Sequence, residues 1–570
     1  MMTETTRTAR RDAELTAVRD AGRTTVLVIG GGINGISLFR DLALQGVDVV
    51  LVERSDFASG ASAASSHMIH GGIRYLENGE FRLVRESVQE RNGLLRIAPH
   101  FVKPLQTTIP IYSTFSGILS APLRFLTHRS GKPKERGAFL IKVGLTIYDT
   151  FSRDGGAVPR HRFLGRRRSL QELPQLDPDI KYTATYYDAS MHDPERLALD
   201  VLQDGRSAHA GAYAVNYVEA VGRRDGKVVL LDRESGEEFT MAADVVVNTS
   251  GPWTDLTNEA LGTETHFMGG TKGSHIVLDH PDLLAATKGR EIFFEHDDGR
   301  IVLIYPLKGR VLVGTTDIDA DPRVPARCTE EEVDYFFDLI HHVFPRIQVS
   351  RDDIVFRFSG IRPLPRHEDT APGFVSRDYR VEVDDSGETP VLSLVGGKWT
   401  TFRALGESLS DRVLGLLGRS RRVSTAALPI GGGRGFPRTV RARQSWKETH
   451  LPGAGDRGDQ LLARYGTRAA EVWAHIRAGE DRLLAGGALS TRELEWMVEN
   501  ELVVRLADIL LRRTSIAFVG DADAAVLREI ADALAPLLGW DAARRDAEIA
   551  RTREILNDAH GLSITEPARP

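Results

Sequence analysis

Three glycines, Gly30, Gly32 and Gly35, restrict what this chain can fold into more than any other feature. They follow Val26-Leu27-Val28-Ile29, an apolar run with the length and character of a buried parallel strand. A helical stretch through Leu38, Leu42 and Leu44 comes next, Gly46 ends it, and Val47 to Val52 reads as a second strand. Together these make a βαβ unit whose glycine-rich turn suits a dinucleotide. Gly30 permits the tight turn, Gly32 lets a pyrophosphate approach the backbone, and Gly35 lets the helix pack on the strand. Free N–H groups at the helix start, around Asn34, face the phosphate charge. Glu53 closes the second strand, where an acid bonds the adenosine ribose and disfavours a ribose phosphate.

FAD and NAD share this fingerprint, so the choice between them rests on the segment beyond the second strand. Ser59-Gly60-Ala61-Ser62-Ala63-Ala64-Ser65-Ser66-His67 is a run of small residues. Such a run lets backbone come close to a ligand and offers hydroxyl donors, with Ser62, Ser65, Ser66 and His67 as candidate contacts. Composition alone fits a flexible surface loop equally well. Its place directly after the ribose-binding strand favours FAD.

At 570 residues the chain exceeds one compact core. The expected class is α/β: a Rossmann-like FAD-binding domain, an antiparallel-sheet substrate domain inserted into it, and a C-terminal all-helical domain. Strands are expected at 228–231, 244–248, 275–278, 301–304, 311–314 and 391–395, and the alternation of Ile354, Phe356 and Phe358 predicts an antiparallel strand with one covered face. Residues 1–23 are polar and expected to form a disordered arm. The two sheet domains interleave over 24–425, Gly431-Gly432-Gly433-Arg434-Gly435 reads as a linker, and helices fill 436–570. Within the last part, Leu502, Leu506, Ile509 and Leu510 have helical spacing.

A net charge of −6 gives nucleic acid nothing to bind. The single cysteine, Cys328, excludes a disulfide framework or a multi-cysteine metal site, and no metal is expected. No secretory signal precedes the first strand and no window is apolar enough to span a bilayer, so the protein is expected in the cytoplasm, with any membrane contact at the inner face.

Six segments carry a more specific identity. Ser65-Ser66-His67-Met68-Ile69-His70-Gly71-Gly72-Ile73-Arg74-Tyr75-Leu76 comes first, and Asn248-Thr249-Ser250-Gly251-Pro252-Trp253 second. Lys272-Gly273-Ser274-His275, Gly314-Thr315-Thr316-Asp317, Ser359-Gly360-Ile361-Arg362-Pro363-Leu364 and Gly396-Gly397-Lys398-Trp399-Thr400-Thr401 come after them in order. The ordered set resembles the FAD-dependent glycerol-3-phosphate dehydrogenases, from about residue 24 to Leu510-Leu511-Arg512-Arg513-Thr514. His67 stands where that family has Lys, and Trp399 where it has Leu. The resemblance implies FAD, glycerol 3-phosphate as substrate, and a quinone as electron acceptor. A glycerol-3-phosphate oxidase and a non-catalytic flavoprotein are the alternatives.

Oxidation of a secondary alcohol needs a hydride acceptor, a base for the hydroxyl proton and, for a phosphate ester, cations with a bidentate fork. By resemblance, Arg362 and Arg377 hold the phosphate, Tyr75 binds substrate, and Arg74 and Lys398 stabilise the developing oxyanion. A local ion pair with Asp378 is the other reading of Arg377. His70 is a candidate base; a histidine bonded to backbone is its other reading. Gly251 and Gly360 are expected beside the cofactor, and Lys398, Thr400 and Thr401 begin a helix whose N–H groups suit the flavin carbonyls. Phe115, Ile118, Leu119, Leu123, Phe125 and Leu126 precede a basic cluster from His128 to Arg136, a pattern that suits an anionic membrane surface or, alternatively, a domain element with a solvated loop. A second copy of the chain completes the expected partners.

Overall fold

The computed structural model describes residues 10–72, 81–114, 138–152, 159–295, 301–366 and 379–565. The expectation of a disordered arm over 1–23 is corrected at once, because Arg10–Ala21 is a helix. Its apolar residues Leu15 and Val18 are buried, and its charges meet partners far away in sequence. Arg11 donates to Asp232 at 2.5 Å and to the Asn216 carbonyl at 3.2 Å, while Glu14 accepts from Arg206. Charges that pair only in the folded state make such a helix look like a solvated tail in sequence.

The first sheet begins with strand Arg23–Ile29, flanked in parallel by Val49–Glu53 and Glu238–Asn248. Ala212–Asn216 and Val391–Val395 extend it in parallel on either side, and Arg380–Asp384 closes one edge antiparallel. Val26, Leu27 and Val28 are fully buried, as a strand covered on both faces requires. Helix Ile33–Leu44 lies against helices Pro194–Ala208 and Phe402–Leu416, so pieces from three regions of the chain cover one face.

The second sheet has ten strands. Its centre runs Met268–Leu278, Arg310–Gly314, Ile301–Leu307, Glu291–Glu295, Val102–Ile111 and Tyr182–Met191. Strand Ile354–Pro365 pairs antiparallel along nearly all of Met268–Leu278. One junction departs from the expected antiparallel pattern: Glu291–Glu295 and Val102–Ile111 run parallel. Met68–Ile69, directly after the small-residue segment, joins the far edge and ties the cofactor segment to this sheet.

Helices Arg457–Tyr465, Ala469–Arg477, Thr491–Asn500, Ala524–Leu538 and Ala542–His560 dominate the last part, with one short hairpin pairing Leu483–Leu484 to Leu489–Ser490. Their core is shared with Phe356 and Phe358 of the second sheet. Leu502 does not continue a helix to Leu506; its backbone is left-handed, at φ 56°. The glycines at 431–433 are not a loose linker. A Cβ at Gly432 would collide with the Tyr465 carbonyl, and one at Gly433 with that of Ile97, so glycine here permits close packing.

Candidate active site

The glycine-rich turn has the shape its sequence predicts. Gly30 sits at φ 110°, where an added Cβ would lie 2.7 Å from the Thr249 carbonyl. A Cβ at Gly35 would strike the Gly30 carbonyl, whereas one at Gly32 would meet only the Ser62 hydroxyl, at 3.2 Å. Gly30 and Gly35 are therefore held by the protein's own packing, whereas beside Gly32 the protein itself offers only the Ser62 hydroxyl. The Thr249 hydroxyl donates to the Gly30 carbonyl at 3.0 Å, so the Asn248–Gly251 segment braces the turn. Gly251 itself has φ 62° and open space around a virtual Cβ.

Glu53 accepts from the Gly31 N–H at 2.7 Å and the Ser55 N–H at 2.9 Å, and burial pushes its carboxyl above the ordinary range. Ser62 enters from the side, its Oγ accepting from the Ile33 N–H at 3.0 Å at the start of helix Ile33–Leu44. Asn34 carries a buried Oδ1 without a partner among the described residues, and a Cβ at Gly397 would collide with its Nδ2. The cradle of glycines, the N–H groups at the helix start and the orphaned Asn34 oxygen fit a dinucleotide cofactor.

The Trp399 indole donates to the Ser62 carbonyl at 3.0 Å, which ties the start of the last motif to the small-residue segment. A Cβ at Gly360 would collide with Ala64, so this glycine serves the seating of strand Ile354–Pro365 on the segment. Ser65 accepts from the His67 N–H at 3.3 Å. The His67 ring turns to Phe358 and Phe518, where burial lowers its pKa to about 4.

Ser66 links the cofactor segment to the second sheet through a 2.8 Å hydrogen bond with His275 Nε2. His275 stacks on Phe358 at 4.7 Å, and burial, then the Arg362 charge, holds it well below its usual pKa. Arg362 lies over Gly273 and donates to Asp317 at 2.8 Å, the Thr315 hydroxyl at 2.9 Å and the Thr316 carbonyl at 2.9 Å. Glu332 ties the two supporting motifs together, accepting from Lys272 and Ser274 at 2.8 Å and Thr316 at 2.7 Å.

His70 stands beside the other end of the segment. The Thr400 hydroxyl donates to the His70 carbonyl at 3.3 Å, and Lys398 Nζ donates to Ser87 at 3.0 Å. Thr401 is buried in the same short 3-10 turn. Gly71 is placed by Asp188, whose carboxylate accepts from the Gly71 N–H at 2.9 Å, Tyr148 at 2.6 Å and Arg91 at 3.0 Å. A side chain at Gly71 would collide with the Tyr148 hydroxyl. The structure thus brings His70, Lys398, Thr400 and Thr401 together. It joins Arg362 to the cofactor segment through His275 and Ser66. Arg74, Tyr75 and Arg377 lie outside the described residues, as does the 115–136 segment.

Sequence reasoning passed over His275, Asp317, the Asp188 group and Asp56. Asp56 stands three residues beyond Glu53 and is buried against the last part of the chain. Arg512 and Arg513 both bond its carboxylate, and Asn216 donates to it at 2.9 Å. Burial pushes Asp56 up, but Arg513 and Arg512 outweigh it and hold the carboxyl below the usual range. Both arginines come from a π-turn, Ile509–Arg513, a distortion that recurs at functional sites. The signal for them was present in Leu510–Thr514; nothing in sequence pointed from it to Asp56.

Comparison with known proteins agrees with this geometry. The profile described as "FAD dependent oxidoreductase" matches residues 25–403, and that described as "C-terminal domain of alpha-glycerophosphate oxidase" matches 423–545. A glycerol-3-phosphate dehydrogenase of Synechocystis is 34% identical, over 93% of this chain and 96% of its own. A D-erythritol 1-phosphate dehydrogenase of Brucella abortus is 33% identical, over 86% of this chain and 93% of its own. The X-ray structure of the glycerol-3-phosphate dehydrogenase from Bacillus halodurans complexed with FAD superposes with a TM-score of 0.72 at 24% identity, over 97% of this chain and 98% of that one. The turn built for a dinucleotide, the sheet seated on it and the helical part that clamps it are one architecture, and the chain belongs to the FAD-dependent glycerol-3-phosphate dehydrogenase family.

Proposed function

We propose that this protein oxidises sn-glycerol 3-phosphate to dihydroxyacetone phosphate and passes the electrons to a quinone. The observation that carries the reading is the convergence of a cationic group, a histidine and an oriented arginine on one cofactor segment. FAD, when bound, supplies the hydride acceptor. Arg362, with Arg377, binds the substrate phosphate; its bonds to Asp317 and Thr315 fix the guanidinium plane before substrate arrives. Lys398 and Arg74 stabilise negative charge on the substrate oxygen, Tyr75 contacts the substrate, and His70 accepts the hydroxyl proton. Because Gly71 is held by the buried Asp188 group, the adjoining His70 backbone has little freedom.

The quinone reading draws on the family resemblance, and on the apolar and basic 115–136 segment as a membrane contact. Among the described residues no helix is long and apolar enough to cross a membrane. A second reading of the substrate has its own support: the relative that acts on D-erythritol 1-phosphate is nearly as similar as the glycerol-3-phosphate dehydrogenase. Both substrates present a hydroxyl and a phosphate to the same groups and differ in length.

Anaerobic titration of the yellow holoenzyme with each substrate tests both readings. Glycerol 3-phosphate is expected to bleach the flavin, and added quinone to restore the colour faster than oxygen does. Faster bleaching by D-erythritol 1-phosphate would reassign the substrate, and rapid reoxidation by oxygen with release of peroxide would make the protein an oxidase. Failure of either substrate to bleach the flavin would leave a non-catalytic flavoprotein.

A further inference from the structure

The segment that places Ser62 against the glycine-rich turn directs Ala63, Ala64 and His67 toward a cavity of about 120 Å³. Phe356 and Phe358 of the second sheet form one wall, and Phe518 of the helical part forms another. The start of helix Pro194–Ala208 closes the remainder with His192, Asp193 and Glu195.

Every fixed charge on this cavity is already matched. Asp193 accepts from Lys308 at 2.8 Å and from Ser515 at 2.9 Å, and Arg512 is bonded to Asp56 and to Asp508. Among the polar side chains that remain are His67, His192 and Glu195. His67 is 4% exposed, and its buried Nδ1 has no partner among the described residues. Among the described residues no other side chain bonds to His192 or Glu195. Burial lowers His67 to about 4; burial, then Lys103 and Lys308, lowers His192 to about 3; burial raises Glu195 to about 8. At neutral pH all three are uncharged.

These walls select a ligand class. An added ion of either sign would lack a counter-charge where burial already penalises charge of both signs. A purely apolar molecule would leave two imidazoles and a carboxyl unsatisfied. A neutral molecule with several hydroxyls satisfies them and packs its C–H groups on the three phenylalanines. An engineered cavity of about 150 Å³ takes the six carbons of benzene, so the space here suits a polyol of about three carbons with their hydroxyls. We propose that this cavity is a binding site for a small uncharged polyol, held by His67, His192 and Glu195 and packed on Phe356, Phe358 and Phe518. This cavity and its lining are the same whichever substrate the enzyme oxidises.

One wall is the back of the cofactor segment, so a bound polyol also holds that segment in place. If the polyol must leave before FAD does, FAD release slows by one plus the ratio of ligand concentration to dissociation constant, about elevenfold at ten times that constant. The test uses the holoenzyme with labelled erythritol and glycerol in equilibrium dialysis, and measures FAD release after dilution by fluorescence. One equivalent of polyol taken up, with saturable slowing of FAD release, is expected. Glu195→Leu and His192→Phe should abolish both while keeping FAD, and a crystal of the parent soaked in glycerol should show it between these side chains whether or not the variants fold. Phosphate and tetramethylammonium are expected not to compete. Water alone in the soaked crystal, no saturable uptake, tighter binding of either ion, or uptake unchanged in both folded variants would overturn the proposal.

Discussion

Glu291 buries its carboxyl completely in the second sheet, with the Thr107 hydroxyl donating to it at 2.7 Å. Burial, with Asp188 nearby, raises its pKa from 4.5 to about 8. Between those two values the folded chain keeps a proton that the unfolded chain has lost, so stability falls as pH rises through the window, by at most about 1.4 kcal/mol per pH unit. Glu291→Gln removes this slope, and urea unfolding at pH 5 and pH 8 should show a smaller difference in the variant than in the parent; equal differences would mean that Glu291 is ionised in the fold. Arg362 is the residue proposed to hold the substrate phosphate. Arg362→Lys keeps the charge but loses the fork and its bonds to Asp317 and Thr315, so glycerol 3-phosphate should bind at least about tenfold more weakly with flavin content unchanged. Arg362→Ala should cost about 2–5 kcal/mol of substrate binding; parent-like KM values in both variants would remove Arg362 from the phosphate site. Of these two residues only Arg362 stood out in the sequence as a candidate, because a motif surrounds it. A lone acid in Glu291-Ile292-Phe293-Phe294 reads as the exposed end of a strand, and only the neighbouring strand reveals that it is buried.

The elements around the cofactor were legible where local pattern and tertiary use coincide. Strand, turn, helix and strand from Arg23 to Glu53 need only their own residues to be recognised. The helix Arg10–Ala21 hides because its partners, Asp232, Asn216 and Arg206, lie about two hundred positions away. The glycines at 431–433 mislead for a related reason: glycine marks both loose chain and backbone packed on backbone, and only the contacting carbonyls distinguish them. Within the cofactor turn the same contrast gives a pair of outcomes. Gly32→Val meets only a serine hydroxyl in the protein, so it should fold and elute without colour. Gly35→Ala drives its methyl into the Gly30 carbonyl, so it should lower the Tm whether or not FAD is present. Flavin absorbance and thermal melts of the two variants, side by side, check this; a yellow Gly32→Val protein would place the pyrophosphate elsewhere.

At the scale of the whole molecule, the helical part is bound into the cofactor domain through charge as well as apolar packing. Asp56, three residues beyond Glu53, depends on Arg512 and Arg513 for its only cations among the described residues. Arg513→Ala should destabilise the protein by about 3–5 kcal/mol, the cost of leaving a buried carboxylate short of a partner. Adding Asp56→Asn should recover part of that loss, and FAD content should change in the same order; a double variant no better than the single one would show that Arg513 works by packing. The two-part division of the chain was legible in its composition, but this clamp was not, since no local pattern connects an aspartate near the start to two arginines near the end. Arg512 lies 456 positions after Asp56. At ribosomal speeds of about 5–20 residues per second, the glycine-rich turn emerges roughly half a minute to a minute and a half before the arginines that neutralise its neighbour. Until then Asp56 lacks these two counter-ions and stays hydrated. A chain cut short before Arg512 is therefore expected to leave Asp56 without them, and its flavin content after purification should fall below that of the full chain.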